Sequence, residues 1–298
     1  MSITASMVKE LRDRTGAGMM ECKKALVETD GDLQAAAEVL RKSGQAKAEK
    51  RAGRVAADGR VVIAANGNNA VVVEVNSETD FVAKDENFVA FAEAVAAAAL
   101  ASGTTDVAAF GGEKLADGRS VDEARTELIT KIGENIGVRR IQSISSDGVL
   151  ASYSHGARIG TVVALDGGDE ELARDVAMHI AAINPQYIGE ADVPAETLER
   201  ERRILTEQAQ DSGKPAEIVE KMVTGRVNKF LKEITLLGQP FVKNDEVTVG
   251  KLLSGANATV TSFVRFEVGE GIEKKQENFA DEVMQQIEDA KKGKDESE

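Results

Sequence analysis

The sequence predicts an α+β fold built around two similar halves, each an antiparallel three-stranded sheet backed by helices. Three observations carry this expectation. A strand–turn–strand–helix succession occurs twice, both copies close on the same Gly-x-Asn-x-x-Val register leading into a strand, and residues 1–44 show helical periodicity without strand signals.

In chain order, residues 7–14, 19–28 and 33–43 read as three short helices, separated by Thr15-Gly16-Ala17-Gly18 and Thr29-Asp30-Gly31-Asp32. Val8 and Leu11, then Cys22, Ala25 and Leu26, then Ala36, Val39 and Leu40 give each helix an apolar stripe. Asp32 is the expected N-cap of the third helix and Gly44 its expected C-cap. Such a bundle resembles the ubiquitin-associated three-helix fold. A basic, alanine-rich tether is expected over residues 45–54.

The first repeat copy runs through a strand at 61–65, the turn Asn66-Gly67-Asn68-Asn69, a strand at 70–75 and a helix beginning near Phe88. Asn-Gly marks a tight hairpin. The second runs through a strand at 149–153, a turn at Ser154-His155-Gly156-Ala157-Arg158, a strand at 159–165 and a helix at 170–183 stopped by Asn184-Pro185. Gly133 to Val138 then leads into a strand ending at Ile144, and Gly255 to Val260 into one ending at Val268.

The second copy is interrupted at about 194–233. Leu198, Leu205 and Ala209 form one helical stripe there, and Ile218, Met222, Val223, Phe230 and Ile234 the next, with Pro215 opening the returning helix. This predicts an inserted antiparallel coiled coil, the alternative being two helices lying flat on the sheet, against which the charged run Glu199-Arg200-Glu201-Arg202-Arg203 argues. A last helix is expected at 277–290 with Phe279, Val283, Met284 and Ile287 in one stripe, followed by a charged tail at 291–298 that turns acidic after Lys294. The expected division is therefore 1–54 for the N-terminal helices and tether, 55–144 and 145–268 for the two core halves, and 269–298 for the C-terminal helical module.

Composition narrows the function classes. A formal charge of -14 argues against a general nucleic-acid binder, because phosphate neutralisation needs clustered Lys and Arg. Residues 1–60 carry 12 basic and 9 acidic side chains, leaving the remainder near -17. The single cysteine, Cys22, cannot form an intramolecular disulfide, which points to a reducing compartment. Charged residues from Lys9 onward argue against a secretory signal, and the most apolar stretch, 88–101, contains Glu93 and is too short for a bilayer. A cytoplasmic protein without membrane association is expected.

Catalytic constellations find no footing. His155 and His179 are the only histidines, and neither stands at metal-ligand spacing to the other or to Cys22. His179 is expected to be a packed or half-exposed helix residue. Ser212-Gly213-Lys214-Pro215 lacks the leading glycine and the hydroxyl of a phosphate-binding loop, and Glu21 occupies the third glycine position of a dinucleotide fingerprint begun at Gly16. No enzyme activity, cofactor or metal is expected.

Residues 79–85, Thr-Asp-Phe-Val-Ala-Lys-Asp, lie between a strand and a helix. Two readings fit. Asp80 or Asp85 caps the following helix while Phe81 folds back as a hydrophobic staple, or Phe81 projects from a rigid junction as a contact element. Met19 and Met20 cannot both face inward from adjacent helical positions, so at least one offers an adaptable contact surface. His155, at the tip of the second hairpin, is either a contact or a solvated turn residue.

The segments Leu11 to Met20, Asn76 to Val82, Gly133 to Ile136, His155 to Gly160 and Gln239 to Val242 together resemble the bacterial elongation factor Ts family, in order along essentially the whole chain. The resemblance implies a guanine-nucleotide exchange factor that binds elongation factor Tu in its GDP form, promotes GDP release and exchange for GTP, and partly displaces magnesium. It implies that Thr79, Asp80, Phe81 and Val82 form the loop that dislodges magnesium, with Phe81 driven between two helices of the GTPase. Met19, Met20 and His155 are expected as weaker partner contacts. No direct nucleic-acid contact is implied, and the coiled coil offers a surface for a homodimer. Two rivals remain open on the residues alone: an adaptor using the helical bundle, and an RNA-binding module using the basic tether.

Overall fold

The computed structural model describes residues 3–210 and 215–273. The turn at 211–214, the helix expected at 277–290 and the acidic tail lie outside the described residues.

Helices α1 (Ala5–Thr15), α2 (Met19–Glu28) and α3 (Leu33–Arg51) pack around Leu11, Cys22, Leu26 and Ala36. Asp32 caps α3 as expected, accepting from the N–H groups of Gln34 and Ala35. Gly44 does not end the helix. It is buried in mid-helix, and α3 continues through most of the expected tether to Arg51. The reason is tertiary: a Cβ at position 44 would lie 2.9 Å from Thr130 Oγ1, so this glycine marks a close helix crossing and not a terminus.

The first sheet is formed by β1 (Asp58–Asn66), β2 (Asn69–Ser77) and, after helices α4 (Glu86–Ser102), α5 (Val107–Phe110) and α6 (Val121–Ile132), β3 (Gly137–Ser145). Its order is β1-β2-β3, antiparallel throughout. The second sheet takes β4 (Val149–His155) and β5 (Ile159–Asp166). Helices α7 (Glu170–Ile183), α8 (Ala195–Gln210) and α9 (Ala216–Ile234) follow. A short ribbon of β6 (Pro240–Phe241) and β7 (Asn244–Thr248), then α10 (Val249–Gly255), lead to β8 (Thr259–Glu267), which completes the order β4-β5-β8.

The two copies agree in backbone detail that no residue pattern announces. Each central strand shifts register against its third strand at the matching place, between Glu74 and Val75 opposite Arg139 and between Ala164 and Leu165 opposite Thr261. In both, Gly-x-Asn-x-x-Val is a helix-to-strand connection, from α6 into β3 and from α10 into β8. Neither α6 nor α10 was expected from the sequence.

The sheets stack face to face. Val61, Ala70, Val72 and Ile144 of the first meet Val162, Ala164, Val264 and Phe266 of the second, while α4 covers the outer face of one sheet and α7 that of the other. This explains why β2 and β5 are buried almost without interruption and carry mostly apolar residues: both faces are covered. In the inserted hairpin Leu198, Leu205 and Ala209 face α9 as expected, but α9 answers with Val219, Val223, Val227 and Leu231. Of the expected α9 stripe Val223 and Ile234 are buried, whereas Ile218 is exposed and the neighbouring Val219 takes its place.

Gly160 marks a close approach between the sheets, since a Cβ there would lie 2.5 Å from Val61 Cγ1. Gly160→Ala is expected to destabilise the protein by about 1–3 kcal/mol in urea denaturation. Adding Val61→Ala should cost less than the sum of the two single changes; strict additivity would contradict the contact.

Candidate functional site

Strand β2 ends at Ser77, and the chain then turns through Glu78, Thr79 and Asp80 into a single 3-10 turn at Val82–Lys84 before Asp85 caps α4. Asp85 accepts from the N–H groups of Asn87 at 2.9 Å and Phe88 at 3.3 Å, so the capping part of the first reading is right. The staple part is not. Phe81 is 80% exposed, the most open large apolar side chain among the described residues.

The junction is held from below and from the side. Val82 and Ala83 are buried in the core under α4, so the loop is anchored immediately after Phe81. Arg60 donates to the Ala83 carbonyl at 3.2 Å. Thr79 is half-buried, its carbonyl accepting from the Ala83 N–H and its hydroxyl from the Val82 N–H. Asp80 is exposed beside Phe81 and pairs with Lys84 at 2.7 Å, a surface pair worth at most about 1 kcal/mol. The four expected loop residues therefore divide: Phe81 and Asp80 face outward, Thr79 and Val82 fix the backbone.

One further residue bears on this loop and went unassigned in the sequence. Glu134, just beyond the left-handed Gly133 that ends α6, turns its carboxylate onto the start of the loop. Its neighbour Asn135 donates its N–H to Glu78 at 2.6 Å and its amide to the Arg54 carbonyl at 2.8 Å. The end of α3, the α6–β3 connection and the Phe81 loop thus share one hydrogen-bonded node. The only sequence signal was the Gly-Glu-Asn-Ile motif, which carries no local clue to what it faces.

The other expected contacts lie on separate elements. Met19 and Met20 open α2, and both are exposed, at 60% and 76%. Their helix is fixed to α3 by an ion pair between Glu21 and Lys47. His155 is exposed at the β4–β5 hairpin tip, with the Tyr153 hydroxyl 3.4 Å from its Nδ1.

His179 is fully buried. Its Nδ1 accepts from the Val242 N–H at 3.1 Å, which leaves the proton on Nε2, 2.9 Å from Gln239 Oε1. Burial pushes the imidazole below its usual value, with the Gln239 bond partly opposing, so it is neutral at physiological pH. It joins α7 to the β6–β7 ribbon and is structural.

Because Phe81 is exposed and Val82 is buried, the two should separate in a melting experiment. Phe81→Ala is expected to leave the unfolding temperature within about a degree or two. Val82→Ala should cost about 1–3 kcal/mol. A large loss of stability in Phe81→Ala would mean that the ring packs on its own helix after all.

Comparison with known proteins bears on the same segments. A family model described as elongation factor TS matches residues 78–270, beginning at this loop. The elongation factor Ts of Thioalkalivibrio sulfidiphilus is 60% identical over 294 residues, covering 97% of this chain and 100% of that protein. That of Methylococcus capsulatus is 60% identical over 290 residues, 96% of this chain and 99% of its own length. That of Legionella pneumophila strain Paris is 54% identical over 288 residues, with the same coverage.

Proposed function

Because the chain belongs to the elongation factor Ts family, we propose that it binds elongation factor Tu in its GDP form and promotes GDP release and exchange for GTP, partly by displacing magnesium. The observation that carries the mechanism is Phe81: a large apolar side chain held in water by a backbone anchored on both sides. An aromatic so placed gains its hydrophobic free energy only when a partner covers it. Its seat in this reading is between two helices of the GTPase, with Asp80 beside it. Magnesium bridges the nucleotide phosphates to protein, so its loss removes charge neutralisation from the diphosphate and speeds release.

The magnitudes assign work to the rest of the chain. A ten-thousandfold acceleration needs about 5.5 kcal/mol of preferential binding to the nucleotide-poor state, whereas burying one Phe supplies about 2–3 kcal/mol. The remainder falls to further contacts, here Met19 and Met20 on α2 and His155 on the second sheet. The same proposal includes the division at 1–54, 55–144, 145–268 and 269–298, a cytoplasmic location, no chemistry of its own, no direct nucleic-acid or membrane contact, and the α8–α9 hairpin as a coiled coil through which a homodimer can form. In support, no helix among the described residues is long and apolar enough to cross a membrane.

Release of a fluorescent GDP analogue from purified elongation factor Tu tests the reading and separates it from an adaptor or an RNA-binding module. The chain is expected to accelerate release at catalytic amounts, and Phe81→Ala to lower the stimulated rate by on the order of tenfold to a hundredfold, equivalent to about 1.4–2.7 kcal/mol. Release at the unstimulated rate in the presence of the intact chain would refute the proposal.

A further inference from the structure

An exposed aromatic can act as a wedge only if its backbone resists being pushed back, and Phe81 has little side-chain packing of its own to supply that resistance. The resistance must come from how the loop is tied. After β2 loses its pairing with β1 at Ser77, the next two N–H groups, of Glu78 and Thr79, have no strand partner. Both donate to Glu134 Oε2, at 3.1 and 3.0 Å, and the Thr79 hydroxyl donates to Glu134 Oε1 at 2.7 Å. One carboxylate therefore takes three donors from two consecutive residues, an arrangement of charge-assisted bonds with little rotational freedom.

The tie reaches Phe81 through Thr79. With its proton committed to Glu134, the Thr79 hydroxyl accepts from the Val82 N–H at 3.4 Å, across the position that Phe81 occupies. Glu134 is itself fixed, since the left-handed Gly133 precedes it and Asn135 is bonded to both Glu78 and Arg54. From these contacts we infer that Glu134 is a positioning residue: it holds the 78–82 backbone so that Phe81 stands outward before the partner arrives. The inference rests on the exchange reading above and adds to it a residue 53 positions along the chain that never touches the partner in this role.

Glu134→Ala removes all three acceptor contacts, whereas Glu134→Gln keeps one oxygen for the two N–H groups. In the GDP-release assay Glu134→Ala is expected to lower the rate at saturating factor about tenfold, while the half-saturating concentration moves less than about threefold, because an interaction that acts in the transition state is lost rather than uniform binding. Glu134→Gln should recover most of the rate. Combined with Phe81→Ala, Glu134→Ala should add almost nothing, since its effect passes through that ring.

Amide hydrogen exchange on the free chain supplies an independent readout. In Glu134→Ala the Glu78 and Thr79 amides should lose protection by about tenfold or more, with the β2 and β5 amides unchanged. A saturating rate equal to that of the intact chain, unchanged protection at Glu78 and Thr79, or an undiminished effect on the Phe81→Ala background would each overturn the inference. An intact chain that fails to stimulate release refutes the exchange reading instead, and amide protection then decides whether Glu134 holds the loop.

Discussion

At the seam between the two sheets sits a carboxylate with no solvent exposure, Glu74. It points along the inter-sheet face of β2 beyond Val72 and collects donors from both halves: the Asn76 amide at 2.9 Å, Arg139 at 3.1 Å, Arg140 Nε at 2.6 Å and the Gly269 N–H at 2.8 Å. Arg140 continues the link, donating to the Glu267 carbonyl at 2.9 Å while its guanidinium lies 4.2 Å over the Phe266 ring. Removing one partner from such a buried set costs about 3–5 kcal/mol, because the remaining charge has no water to turn to. Burial opposes the charge on Glu74, but the Gly269 N–H, the Asn76 amide and Arg140 outweigh it and hold the carboxyl below its usual value. Its stabilisation is therefore complete above the unfolded value of about 4.3 and lost as pH falls through the folded one.

This lock turns two homologous-looking halves into one body. The stacked sheets, with α4 and α7 on their outer faces, leave β2 and β5 buried on both sides, and β2 is the strand that delivers the Phe81 loop. On the N-terminal side α3 runs unbroken from the helical bundle to Arg51, against α6, and ends beside the residues that tie the loop. A partner gripped at α2, at the loop and at the second hairpin would meet a scaffold that transmits strain instead of flexing. That is the property the proposed exchange mechanism requires, because Phe81 alone falls short by about half of the needed free energy.

Much of this architecture was legible because it is local. Tight turns, Asp32 before an apolar stripe and Pro185 after one specify hairpins and helix ends without reference to the rest of the chain. What the sequence concealed is tertiary. Gly44 reads as a terminator until Thr130 is seen against it, and the register of α9 turned on which of two adjacent apolar rows faced α8. Within β2, Glu74 is a lone carboxylate among valines, and no local pattern tells what it faces. Its meaning depended on a glycine 195 residues away. At the site, the outward set of Phe81 is one of two readings the residues allow, and Glu134 has no role legible in the sequence, since nothing in Gly-Glu-Asn-Ile says which backbone it will hold.

In the proposed exchange function, the chain holds elongation factor Tu in a state that binds nucleotide poorly. Linkage makes this reciprocal, so that any factor by which the chain weakens GDP binding is the factor by which GDP weakens binding of the chain. Titration calorimetry of the chain against nucleotide-free and against GDP-loaded elongation factor Tu measures that factor directly. Affinity for the nucleotide-free form is expected to be tighter by about two or more orders of magnitude, with most of the difference lost in Phe81→Ala. Equal affinities for the two forms would contradict it.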